Sequence, residues 1–192
     1  VQHVATARLS RQASAFLERV AEIHRTGASP VLSCDGALRI PTSFLAAEQV
    51  SAGATAWRLV GGDDRLALAL TLLGLGERFG VGAPESHRSF LADPPFRVRL
   101  SPEGGLVLEP VVGAAGNPRL EASIAHAWVA AIEPPSVTIE LANISHLNSI
   151  LIAWMLQVAQ GVRPAPVCIA KASAGVSAQL RQLRLDHLMA LI

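Results

Sequence analysis

Leu59-Val60-Gly61-Gly62-Asp63-Asp64-Arg65-Leu66 leads into Leu70, Leu73 and Leu75. At a displacement of 110 residues, Ile169-Ala170-Lys171-Ala172-Ser173-Ala174-Gly175-Val176 leads into Leu180, Leu183 and Leu185. Every apolar anchor of the first stretch falls on an apolar residue of the second, without a gap. Each reads as a short strand (57–60; 166–170), a polar N-cap (Asp63; Ser173) and a helix with apolar residues at i, i+4 and i+7. Self-similarity at a fixed displacement is the mark of one structural unit used twice.

Working outward, a displacement of 107 carries the match upstream. Val31-Leu32-Ser33-Cys34 falls on Thr138-Ile139-Glu140-Leu141, a short strand in both copies. Ile40-Pro41-Thr42-Ser43-Phe44-Leu45-Ala46 falls on Leu147-Asn148-Ser149-Ile150-Leu151-Ile152-Ala153, a strand exit followed by polar residues and a helix. Leu17 and Val20 fall on Ile124 and Ala127 of an earlier amphipathic helix. The change from 107 to 110 is a loop-length difference after the middle helix. Each unit therefore reads helix, strand, helix, strand, helix, which predicts βαβ crossovers and a largely parallel sheet. The second unit begins with two apolar runs, 96–100 and 106–112, around Ser101-Pro102-Glu103-Gly104-Gly105, a β-hairpin pattern. The first unit has only residues 3–9 before its helix. Pro84, Pro94 and Pro95 mark a linker over 83–95, giving units at 1–82 and 96–192.

Composition narrows the function classes. Sixteen cations balance 15 acids over 192 residues, a net charge of +1. Eight cations fall on each side of Gly82, against seven acids before it and eight after, so neither half is a basic arm for nucleic acid. Apolar residues make up 51% and mean hydropathy is +0.38, too apolar for a disordered chain. The longest charge-free apolar stretch, 150–158, is far below the roughly 20 residues of a membrane span. No signal-peptide pattern opens the sequence, and Cys34 and Cys168 make no disulfide framework, so a reducing cytoplasm is the expected compartment.

The repeated pattern, with Gly74-Leu75-Gly76-Glu77-Arg78-Phe79 and Arg184-Leu185-Asp186-His187-Leu188-Met189 as its tails, resembles the STAS domain of bacterial anti-sigma-factor antagonists. The resemblance implies an α/β fold of two STAS-like domains, each a mainly parallel or mixed four- to five-stranded sheet covered by helices. In that family an Asp-Ser-Ser/Thr-Gly motif opens the middle helix, and its second hydroxyl is phosphorylated to release a partner. A phosphate at a helix N-terminus is tolerated by the helix dipole but need not be tolerated by a partner surface. Here the first copy reads Pro41-Thr42-Ser43-Phe44, with Ser43 at the acceptor position and Thr42 beside it. The second reads Asn148-Ser149-Ile150-Leu151, with Ile150 at the acceptor position. Thr42, Ser43, Asn148 and Ser149 are also suitable helix caps, a structural role of about 0.5–2 kcal/mol each.

No enzyme signature accompanies these motifs. There is no glycine-rich phosphate loop, no His-x-x-x-His pair and no Cys-x-x-Cys pair, and no cofactor or metal is expected. The anomaly is apolar excess: 150–158 is polar only at Gln157, and 66–73 shows the same excess, where a helix covering a sheet needs one apolar stripe. Either the two units pack together and consume these faces, or one face is a docking surface. The resemblance places the family's partner contact on the motif and this helix, which selects Asn148, Ser149, Ile150, Leu151, Trp154 and Met155.

The function expected from this reading is non-enzymatic, reversible protein binding in signalling, with phosphorylation of Ser43 or Thr42 as the switch. The partner would be a protein of anti-sigma-kinase type, and self-pairing as a homodimer also fits. The alternatives are an accessory subunit of a phospholipid-type ABC transporter, with a transporter ATPase as partner, and a small-ligand sensor.

Overall fold

The computed structural model describes residues 4–8, 13–26, 29–34, 39–51, 56–111, 113 and 117–192. The first half runs β1 (Val4–Arg8), α1 (Ala13–Thr26), β2 (Ser29–Cys34), β3 (Ile40–Pro41), α2 (Thr42–Val50), β4 (Arg58–Gly61) and α3 (Asp64–Leu72). A short helix, α4 (Arg88–Ala92), follows. The second half runs β5 (Phe96–Leu100), β6 (Leu106–Pro110), α5 (Ile124–Ala127), β7 (Ile132–Glu133), β8 (Val137–Glu140), α6 (Ser149–Gly161), β9 (Val167–Ala170), α7 (Ala174–Gln182) and β10 (Ala190–Leu191).

Among the described residues the strands form three sheets. One is parallel with order β1-β2-β4, three-stranded where four or five strands were expected; one has order β10-β9-β8-β6-β5; the last is the two-stranded pair β3-β7. Among the described residues only β5 runs antiparallel, against β6. In the five-stranded sheet, Val137 and Ile139 of β8 and Val167 and Ile169 of β9 are buried, while the residues between them are half-buried. That alternation is the period-2 signature of strands with one face on a core. Leu106, Val107 and Leu108 of the interior strand β6 are buried in succession, as expected where both faces are covered.

The displacements found in the sequence recur in the backbone. Val31 pairs with Arg58, Leu32 with Leu59 and Ser33 with Val60. The second half pairs Thr138 with Cys168, Ile139 with Ile169 and Glu140 with Ala170, the same register shifted by 107 on one strand and 110 on the other. Asp63 accepts from the Leu66 N–H at 3.1 Å and Ser173 from the Val176 N–H at 3.2 Å, opening helices that begin and end 110 residues apart. Two left-handed positions match as well: Gly61 (φ +80°) with Lys171 (φ +57°), and Gly74 (φ +71°) with Arg184 (φ +57°). A Cβ at Gly61 would stand 2.3 Å from the Cys34 carbonyl oxygen, so only glycine fits there.

The halves differ at their edges. β10 covers the outer edge of β9, whereas the corresponding residues 80–81 form no strand on β4. The segment read from sequence as a linker, 83–95, includes α4, which buries Phe90 against Phe96 at a ring separation of 5.9 Å. The buried apolar residues, from Phe16 to Met189, make one continuous cluster spanning both halves.

Glu140 ties three strands of the larger sheet together. Its carboxylate accepts from Arg99 on β5 at 2.7 Å and from Lys171 beyond β9 at 3.0 Å. The Lys171 ammonium holds the carboxyl below the usual glutamate range; partial burial opposes this, and Arg99 reinforces it. A depressed carboxyl contributes stability above its unfolded-state pKa and loses it as pH falls through the folded-state value. Glu140→Gln is therefore expected to flatten the loss of stability below about pH 4.3, measured by urea denaturation at a series of pH values. Parallel acid limbs for the two proteins would rule this role out.

Candidate functional site

The first turn of α2 is where the two halves meet. Pro41 stands before the helix with an extended backbone and offers no capping side chain. It belongs to β3, whose Ile40 and Pro41 pair with Ile132 and Glu133 of β7. Thr42 follows and is 0% exposed. Its hydroxyl donates to the Gly104 carbonyl, with the Glu133 carbonyl 3.4 Å away. Gly104 lies in the β5–β6 turn with φ +82°. A Cβ there would stand 2.5 Å from both the Cα and the N of Ser43. The hairpin turn of the second half thus rests on the α2 backbone, and Arg39 adds a bond to the Arg163 carbonyl at 2.9 Å.

Ser43 is exposed and borders two cavities. One, of about 430 Å³, lies between the halves; Pro41, Pro134, Pro135 and Pro164 form much of its wall, and Glu103 and Glu133 supply its carboxylates. The other, of about 360 Å³, is bounded by Val20 and Ala21 of α1 and by Phe44, Ala47 and Glu48 of α2. Glu48 is 2% exposed and is held by Arg78 at 2.9 Å, while Arg78 also donates to the Ser51 carbonyl at 3.1 Å. A buried carboxylate is tolerable only with such a partner.

The two hydroxyls selected from the sequence are therefore not equivalent. Thr42 is sealed inside the junction and spent on backbone carbonyls, so this fold gives a kinase no access to it. Ser43 keeps its side chain at the surface of the first helical turn.

The residues selected on α6 divide as well. Asn148 caps the helix, accepting from the Leu151 N–H at 3.0 Å. Ser149 is exposed and Ile150 half-buried. Leu151, Trp154 and Met155 are buried, which corrects their selection as partner-contact residues. The Trp154 indole N–H donates to the Ala125 carbonyl at 2.9 Å, and its ring stacks on Phe96 at 5.3 Å. α5 and the turns Pro118–Leu120 and Trp128–Ala131 pack on α6, and Gly161 permits close approach to Val129. α3 packs on the same turn, Trp128–Ala131, from the first half. These contacts cover one face of each helix, while Ile150, Ile152 and Leu156 on α6 and Leu72 on α3 stay half-buried.

Other reactive groups do not converge. Among the described residues, no group of three or more His, Cys, Asp or Glu side chains could hold a metal ion. Cys34 is buried and Cys168 half-buried, and neither forms a disulfide. Burial lowers the pKa of His126, favouring its neutral form. Among the described residues no helix is long and apolar enough to cross a membrane. Compared with known protein families, curated proteins and solved structures, the chain has no significant match.

Gly104, Glu103 and Glu133 are the site residues that the sequence reading passed over. Gly104 was legible only as a turn glycine; nothing in the spacing relates it to Thr42, 62 positions away. Gly104→Ala is expected to cost at least about 3 kcal/mol, combining left-handed strain with displacement of α2. Gly74→Ala, also left-handed but with nothing within 4 Å of the added methyl, should cost only about 1–2 kcal/mol. Equal losses in denaturant titrations would mean that the turn does not bear on α2. Trp154→Ala should cost about 3–5 kcal/mol and Ser149→Ala under about 0.5 kcal/mol in the same measurement. A stable Trp154→Ala protein would return that side chain to the surface.

Proposed function

We propose that the chain is a regulatory protein-binding module resembling tandem STAS-domain antagonists, acting without catalysis through reversible binding to a partner protein. The observation that carries this reading is Ser43: an exposed hydroxyl in the first turn of α2, next to a neighbour whose hydroxyl is buried. A phosphate there meets the favourable end of the helix dipole. It also meets Glu103 and Glu133 in the same cavity, so modification converts a weakly acidic surface into a strongly anionic one. The shared strand register and the corresponding caps Asp63 and Ser173 support the halves being copies of one binding fold. The second copy presents Ile150 at the corresponding place and is the constitutive partner of the pair.

The expected partner is a kinase of the anti-sigma type, acting in the cytoplasm. Intact-mass and peptide mass spectrometry of the protein from its native cells, and after ATP and such a kinase, should find one phosphate on the peptide containing Ser43. Ser43→Ala should abolish it. Modification elsewhere, or none under either condition, removes the switch.

The absence of a hydroxyl at Ile150 favours one second reading, a transport accessory subunit that needs no phosphorylation. Co-purification with an ABC ATPase, with Ser43 unmodified, would establish that reading instead.

A further inference from the structure

We infer that the cavity between the halves receives an arginine side chain of a partner polypeptide. This rests on the reading of the chain as a protein-binding module and names what its junction surface grips.

The walls and the charges point to the same ligand. Pro41, Pro134, Pro135, Pro164 and Val162 make an apolar slot, with Pro134 and Val162 themselves buried. Proline rings present flat C–H surfaces and no N–H donor, so these side-chain walls satisfy a hydrocarbon stem better than a polar one. Glu103 and Glu133 stand at the same cavity, one on the hairpin turn and one on β7. Neither carboxylate forms an ion pair among the described residues. The nearby Arg39 guanidinium is engaged with the Arg163 carbonyl and pairs with neither of them. A group with an apolar stem and a planar cation at its tip matches both features: the stem lies along the prolines and the guanidinium meets the carboxylates. The volume of about 430 Å³ accommodates such a side chain together with part of the backbone that carries it.

The cavity is also placed to sense the state of the junction. Its wall includes Pro41 and Glu133 from the β3–β7 pair, and the Gly104 turn carries the adjacent Glu103. A ligand that bridges these elements binds only while the halves are docked.

The test titrates the isotope-labelled protein with N-acetyl-arginine methylamide and follows backbone amide shifts by NMR. Saturable shifts are expected at residues 42–43, 103–105, 133 and 162–163. The uncharged citrulline analogue should bind about tenfold or more weakly, and so should arginine to the Glu103→Gln/Glu133→Gln protein, whose spectrum reports directly whether it is folded. Equal binding of the citrulline analogue, shifts scattered over the surface, or no effect of the double substitution would overturn the proposal. Free L-arginine binding more tightly than the blocked form would overturn the polypeptide as its source. Failure of this titration with Ser43 phosphorylated in cells removes the arginine slot alone. Saturable binding with Ser43 never modified keeps the slot and removes the switch.

Discussion

Thr42 lies at the start of a helix, fully buried, with its hydroxyl given to a carbonyl from a turn 62 residues away. Burying a hydroxyl without a partner costs of the order of 1–3 kcal/mol, so the Gly104 turn must sit where it does for α2 to begin where it does. The consequences spread from there. Gly104 has to be left-handed and without a side chain because the α2 backbone occupies the space a Cβ would take. The pair β3–β7 ties the start of α2 to a second segment of the other half, Ile132–Glu133. α3 then lies over Trp128–Ala131, and the core closes across the boundary between the halves. The site is a by-product of this closure: Ser43 and the proline-walled cavity exist because two segments distant in sequence are pressed together.

The two halves use one plan with unequal finish. Strand register, the bounds of α3 and α7 and two left-handed positions repeat, but α6 outruns α2 by four residues and α5 is far shorter than α1. Where the first half uses Gly61, the second uses Lys171, which accepts an unfavourable backbone region while its ammonium holds Glu140. Where the first half begins its middle helix with a buried threonine and an exposed serine, the second begins with Asn148 as a cap and Ile150 half-buried. The exposed hydroxyl of the first turn is therefore Ser43 at the second position of α2 and Ser149 at the first position of α6.

Much of the fold was legible in the residue pattern. The displacements of 107 and 110 predicted which strands correspond, and the register of the sheets follows them position by position. The hairpin around Ser101-Pro102-Glu103-Gly104-Gly105 and the caps Asp63, Asn148 and Ser173 were legible because they depend on local chemistry. The site was legible only in part. Ser43 was found through its place in a motif, but the burial of Thr42 depends on a carbonyl from the other half. Trp154 and Met155 were misplaced for a related reason: periodicity reveals how much apolar surface a helix carries, and says nothing of what covers it. Glu103 and Glu133 have no signal of their own, since their significance is a shared cavity.

The Trp128–Ala131 turn serves as lid to two helices at once, α6 from its own half and α3 from the other. Neither copy, detached, could keep that apolar surface from water. Such mutual covering frees each half from having to fold as a self-sufficient body. It also makes the two halves energetically inseparable: a change on α3 is felt through its fit to Trp128–Ala131 of the opposite half.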